Sequence, residues 1–184
     1  EIAAGETNTC ARITDGTVKC LGDNYFGALG DGTTTSRFSP TVVPSLSSVA
    51  GIAAGGGNTC ALMVDGTAKC WGDNYAGPLG DGTTTNRHSP TTVPSLSNVA
   101  EIAAGGGHTC ARITGGTVKC WGYNGLGQLG DGTTTNRHSP VVVTSLSNVA
   151  EIAAGETNTC ARITDGTVKC WGTNYYGALG DGTT

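Results

Sequence analysis

Apolar and polar side chains alternate along this chain in short runs, and nowhere do apolar positions recur at helical spacing. The clearest pair of runs is Thr9-Cys10-Ala11-Arg12-Ile13-Thr14 and Thr17-Val18-Lys19-Cys20-Leu21-Gly22, separated by Asp15-Gly16. Alternating runs on either side of Asp-Gly predict a β-hairpin. The stretch returns at Thr59–Gly72, Thr109–Gly122 and Thr159–Gly172, 50 residues on each time, with Gly115-Gly116 as the turn of the third copy. A fixed period of that size belongs to solenoids, propellers and arrays.

The remainder of the period completes a unit. Each copy begins Ile-Ala-Ala-Gly (Ile2–Gly5, Ile52–Gly55, Ile102–Gly105, Ile152–Gly155), a short strand whose small side chains let neighbouring backbones come close, as near a propeller axis. A tight polar turn follows, Glu6-Thr7-Asn8 in copy 1 and Gly106-Gly107-His108 in copy 3, and then the hairpin. Beyond it lies a Gly-punctuated loop, Asp23 to Thr35, and Thr41-Val42-Val43 reads as a further strand. Pro40 and Pro44 bracket that strand, which suits a sheet edge. Four short strands per period predict an all-β fold, a β-propeller of ~50-residue four-stranded antiparallel blades. The chain reads as a single repeat domain, 1–184, with repeats at 1–50, 51–100, 101–150 and an incomplete 151–184, about 3.7 blades. Counting Thr41–Val43 as the first strand of the next blade leaves copy 1 the one that lacks a strand.

All eight cysteines occupy two places in the period: Cys10/Cys20, Cys60/Cys70, Cys110/Cys120 and Cys160/Cys170. With a two-residue turn, Cys10 would face Leu21, and the two thiols would point to opposite sides of the sheet. With a three-residue turn closed by Gly16 in the left-handed conformation, Cys10 faces Cys20 and a disulfide can form. Regular, even pairs favour disulfides over buried thiols. The ten-residue spacing lacks the short knuckle of a zinc site.

The run Ile-Ala-Ala-Gly…His-Thr-Cys-Ala…Asp-Gly-Thr-Val-Lys-Cys-Trp-Gly-x-Asn-x-x-Gly-x-Leu-Gly-Asp-Gly-Thr-Thr-Thr…Pro resembles the regulator-of-chromosome-condensation repeat over essentially the whole chain. The resemblance implies a propeller, usually of seven blades, and no single activity. Members include an exchange factor for a small GTPase, a secreted bacterial β-lactamase inhibitor and many uncharacterised surface proteins. The exchange activity uses an inserted wedge, and these periods carry no insertion. Three periods and 34 further residues fall short of seven blades, so the chain reads as a fragment, half of an assembled ring, or a unit of an open array. Without an initiator Met or signal peptide, it reads as a mature form or a fragment. Glu151–Thr184 differs from Glu1–Thr34 only at Leu21/Trp171, Asp23/Thr173 and Phe26/Tyr176, the mark of recent duplication.

Composition narrows the function. A net charge of −4 and single, scattered Lys and Arg argue against a nucleic-acid footprint. The basic residues repeat with the period (Lys19, Lys69, Lys119, Lys169; Arg37, Arg87, Arg137) and read as structural. No apolar run is long enough to span a membrane. Gly30-Asp31-Gly32-Thr33-Thr34 lacks the Lys of a phosphate loop and the ligand series of an EF-hand, and reads as a turn network. His88, His108 and His138 read as surface or turn residues, with no metal cage. No catalytic set and no cofactor is expected. The tryptophans and Leu29, Leu79, Leu129 and Leu179 read as packing between blades.

What varies between copies is the loop after Trp-Gly. It carries Tyr25, Phe26, Tyr75, Tyr123, Leu126, Tyr175 and Tyr176, which either pack on the next blade or meet a partner. The expected function is a non-catalytic scaffold, extracellular or at a cell surface because of its paired cysteines. It meets a protein partner through loops on one propeller face. The alternative is a structural array that self-associates through strand edges, with nucleotide exchange on a small GTPase behind both.

Overall fold

A computed structural model describes residues Glu1–Thr184, which form fifteen strands and no α-helix. Blade 1 contains β1 (Ile2–Ala4), β2 (Asn8–Arg12), β3 (Val18–Gly22) and β4 (Arg37–Val42). Blade 2 contains β5 (Val49–Ala54), β6 (Asn58–Met63), β7 (Ala68–Gly72) and β8 (Arg87–Thr92). Blade 3 contains β9 (Val99–Ala104), β10 (His108–Ile113), β11 (Val118–Gly122) and β12 (Arg137–Val142). Blade 4 contains β13 (Val149–Ala154), β14 (Asn158–Ile163) and β15 (Val168–Gly172). Each sheet is an antiparallel meander in sequence order.

The hairpin has the three-residue turn. Ile13 N donates to Thr17 O at 2.8 Å and Gly16 N to Ile13 O at 3.0 Å, with Gly16 at φ 79°. Asp15 Oδ1 accepts from both the N–H (2.9 Å) and the hydroxyl (2.7 Å) of Thr17. This register sets Cys10 against Cys20, with Cα atoms 4.1 Å apart and the sulfurs bonded. Cys60–Cys70, Cys110–Cys120 and Cys160–Cys170 repeat it.

The fourth strand does not begin the next blade. It pairs with β3 of its own copy, Lys19 opposite Val42 and Cys20 opposite Thr41, and it starts earlier than expected, at Arg37. Blade 1 is therefore complete, and blade 4 is the one with three strands. The reason is the long loop, whose internal hydrogen bonds fold it back on itself and return β4 beside β3. The segment that crosses to the next blade is Val43–Ser48, where Ser45 and Ser48 take φ of 58° and 57°. Pro40, Pro90 and Pro140 lie within β4, β8 and β12, the outermost strands, where a missing N–H interrupts no ladder and discourages edge pairing.

Hydrophobic burial falls between the blades. Cys10, Val18, Cys20 and Leu29 of blade 1 share one cluster with Ile52, Ala61 and Trp71 of blade 2, and Val43 and Leu46 of the connector close it. The disulfide thus belongs to a core shared with the next blade. The same cluster recurs between blades 2 and 3 and between blades 3 and 4. Trp71, Trp121 and Trp171 pack between blades with Leu29, Leu79 and Leu129 as expected, whereas Leu179 joins no interblade cluster.

Around the axis, Glu6 N donates to Gly55 O (3.1 Å), Gly56 N to Gly105 O (3.1 Å) and Gly106 N to Gly155 O (3.3 Å). A β-carbon on Gly55 would collide with Gly105 O, so the backbones approach as closely as the small residues of Ile-Ala-Ala-Gly allow. No hydrogen bond joins blade 4 back to blade 1, and the four blades form an open arc.

Candidate binding face

Strand direction collects the β1–β2 turns and the long β3–β4 loops at one end of the arc, and the Asp-Gly hairpin turns at the other. Backbone bonds tie the two sets together: Asp23 N to Thr7 O, Asp73 N to Gly57 O and Tyr123 N to Gly107 O. At the centre of this face, Ala4-Gly5-Glu6 and its counterparts in the other blades line a cavity of about 360 Å³.

The long loops share one frame. Asn24 is buried; its Oδ1 accepts from Leu29 N at 2.9 Å. Its Nδ2 reaches Asp31 Oδ1 (3.2 Å), Thr33 O (3.0 Å) and Thr35 O (3.1 Å). Asp31 also accepts from the N–H and hydroxyl of Thr33, and Arg37 Nη2 lies 2.8 Å from its other oxygen. Burial works against ionisation of Asp31, but Thr33, Arg37 and Asn24 outweigh it and hold the carboxyl below its usual range. At Asp131 the same balance brings the value to about 2. The expected turn network is present in all four copies, and Arg37, Arg87 and Arg137 are its structural cations.

On this frame the variable side chains face outward. Tyr25, Tyr75, Tyr175 and Tyr176 are exposed, Tyr75 to 85%. Phe26, Tyr123 and Leu126 are about two-fifths exposed. Tyr25 meets Phe26 edge to face with centroids 4.8 Å apart. Phe26 and Tyr75, from neighbouring loops, line one groove of about 490 Å³ with Asp73, Asn86 and His88. Leu126 and Tyr175 line a second, of about 260 Å³. Tyr123 lies over Gly125 of its own loop, where a β-carbon would strike the ring. The structure brings the seven positions onto one face without burying them, four of them (Phe26, Tyr75, Leu126 and Tyr175) lining the two grooves.

All six arginines sit in carboxylate pairs. On the loop face the unpaired charges are Glu6, Asp23, Asp73, Glu156 and Asp181, all negative. The four lysines lie in β3, β7, β11 and β15, below it.

His108 is a correction. It is fully buried at the start of β10, and its Nε2 lies 2.8 Å from Thr159 Oγ1 of the next blade. Asn8 and Asn58 hold the same repeat position and reach Thr59 and Thr109 (3.0 and 3.2 Å). Thr159 donates to Gln128 O, so His108 Nε2 carries the proton and Nδ1 is left without a partner. Alternation of apolar and polar positions does not single out these interblade Asn–Thr pairs or Asn24 with its counterparts. Their recurrence every 50 residues was the available signal.

Sequence comparison agrees with this architecture. The family model for the regulator of chromosome condensation (RCC1) repeat matches residues 15–62, 65–112 and 115–162, and a second model of that description matches 49–77, 99–128 and 149–178.

The chain belongs to the RCC1 repeat family.

Among solved structures, this RCC1-repeat chain is similar to yeast RCC1 (Prp20) bound to Kap60, with 25% identity and a TM-score of 0.82 over 95% of this chain and 43% of that one. Prp20p from Saccharomyces cerevisiae, described with its binding properties to Gsp1p and histones, matches at 26% identity and 0.83, over 95% and 44%. Human WBSCR16 matches in fold at 24% identity and 0.88, over 100% and 50%. The chain spans half or less of these proteins. No curated protein sequence matches it.

Proposed function

We propose that the chain is a non-catalytic scaffold of the extracellular space or a cell surface that binds a protein partner through the loops of one propeller face. The observation that carries this reading is the placement of the variable side chains. They lie exposed on a single face, over a loop frame that is the same in every copy. Large aromatic rings in grooves of that kind are typical anchors of protein recognition. The chemically capable side chains of the loops, Asp31, Thr33 and Arg37, are engaged in holding the frame. Yeast Prp20, similar over nearly all of this chain, is bound to Kap60 in one structure and described with Gsp1p and histone binding in another, which supports a protein partner here. Four disulfides support an oxidising compartment. The acidic charge of the loop face favours a partner with a basic surface, and binding weakens as salt rises.

Panning a displayed peptide library rich in Lys and Arg against the immobilised chain tests this. The expected binders lose roughly tenfold or more in affinity when Tyr25 and Phe26 are both changed to Ala, while the melting midpoint stays put. Binders indifferent to the change, or a fall of several degrees in the midpoint, would return these rings to the scaffold.

A further inference from the structure

The groove between the long loops of blades 1 and 2 differs in chemistry from its counterparts at the other two junctions. Phe26 of blade 1 and Asp73 of blade 2 meet over Gly57, where a β-carbon would lie 3.8 Å from Phe26 Cδ2 and 3.3 Å from Asp73 Cβ. Tyr75 lines the same groove and is 85% exposed. The spacing of the two loops is fixed from below. Gly32 N donates to His88 O at 2.9 Å, and the His88 ring lies against Gly27 of blade 1. The space of about 490 Å³ is therefore held open by backbone, not by the side chains that line it.

Asp73 is the one lining carboxylate, and its hydrogen bonding is incomplete. In blade 1 the equivalent Asp23 accepts from Ser36 Oγ at 3.2 Å and from Tyr25 N at 3.2 Å. In blade 2 Asn86 replaces the serine and turns its Oδ1 to Asn74 N at 2.8 Å, so Asp73 keeps only the contact from Tyr75 N, at 3.3 Å. Arg87, the nearest cation along the chain, is committed to Asp81. The next junction carries Ala76, Tyr123 and Gly125 at the positions of Phe26, Asp73 and Tyr75, and the third carries Leu126, Thr173 and Tyr175. Of the three junctions, this one alone joins a carboxylate to two rings.

A carboxylate oxygen without a donor, beside two exposed aromatic rings, is the chemistry that recognises an organic cation. A planar guanidinium can lie on a ring and still aim its N–H groups at the carboxylate, which a compact ammonium does less well. We propose that this groove is a binding site for an arginine side chain, with Asp73 taking its charge and Phe26 and Tyr75 covering its faces. The proposal rests on the reading that this loop face meets a basic protein partner, and it names the side chain that the partner inserts.

Titration of the disulfide-bonded chain with N-acetyl-arginine amide, followed by backbone amide NMR, tests the site. Saturable shifts are expected, largest at Gly57, Asp73, Tyr75 and Asn86. Asp73→Asn weakens binding roughly tenfold and Tyr75→Ala roughly fivefold. Gly57→Thr, which installs the residue of copies 1 and 4, wedges a side chain between Asp73 and Phe26 and weakens it as well. Asp23→Asn removes the same charge from the loop face outside the groove and leaves binding unchanged. N-acetyl-lysine amide binds more weakly than the arginine compound. Thermal melts confirm that each variant is folded. Shifts that do not saturate, shifts spread over the whole face, or an equal loss with Asp23→Asn would overturn the proposal. Library peptides that bind the loop face but ignore Asp73→Asn would sink this site and leave the scaffold reading standing. Arginine binding here without any peptide binder would do the reverse.

Discussion

At one position of the period the chain carries Asn three times and His once, and the difference has a pH consequence. His108 is held neutral between blades 3 and 4, and burial pushes its pKa down to about 4 from 6.5. An unfolded chain takes up a proton below 6.5, whereas the folded one does not until about 4. The contribution of the neutral ring is therefore complete above pH 6.5 and is lost as pH falls toward 4, by roughly 3 kcal/mol in all. The loop carboxylates act in a lower window. Asp131, opposed by burial but held by Thr133 and Arg137 at about 2, contributes stability that is present above 3.8 and lost as pH falls toward 2. Thermal melts at neutral pH and just above pH 4 should show a clear drop for wild type. His108→Asn, which restores the residue found in the other copies, should remove most of it. A wild-type midpoint that is flat over that range would contradict the assignment.

The element that recurs is a hairpin stapled across its own two strands and covered by the next blade. Each staple closes a small loop and contributes roughly 3 kcal/mol in the chain-entropy picture. Reduction requires access to the sulfur, and the copies differ there. Six of the cysteines are fully buried under a following blade, whereas Cys160 and Cys170 have no blade over them. Mild reduction followed by alkylation and peptide mapping should therefore label Cys160 and Cys170 first. Equal labelling of all four pairs would show that local opening, not cover, controls access.

At the scale of the whole molecule, the three interblade clusters are the only cores, and stability is close to a sum of blade and neighbour terms. Trp121 is the central bolt: fully buried, with Nε1 donating to Pro78 O at 2.8 Å. Trp121→Ala should cost about 3–5 kcal/mol. Because blades 1 and 2 then lose their grip on blades 3 and 4, calorimetry should resolve two transitions. A single transition with a small shift would mean that the blades are stable without their neighbours.

The hairpins, the disulfide pairs and the variable aromatic positions were legible in the sequence because each depends on neighbours within one turn or loop. Asp-Gly followed by Thr sets the turn, the turn sets the register, and the register opposes the cysteines. Three things came only from the tertiary structure. Alternation is the same whichever copy owns Thr41–Val42, so only the folded path of the long loop assigns that strand to β3 of its own blade. His108 looks polar and turn-like in sequence, yet its environment is set by Thr159, 51 residues away. The cores form between blades, and no single period carries both halves of one. Local chemistry determined the blade; the contacts one period apart decided how the blades stack.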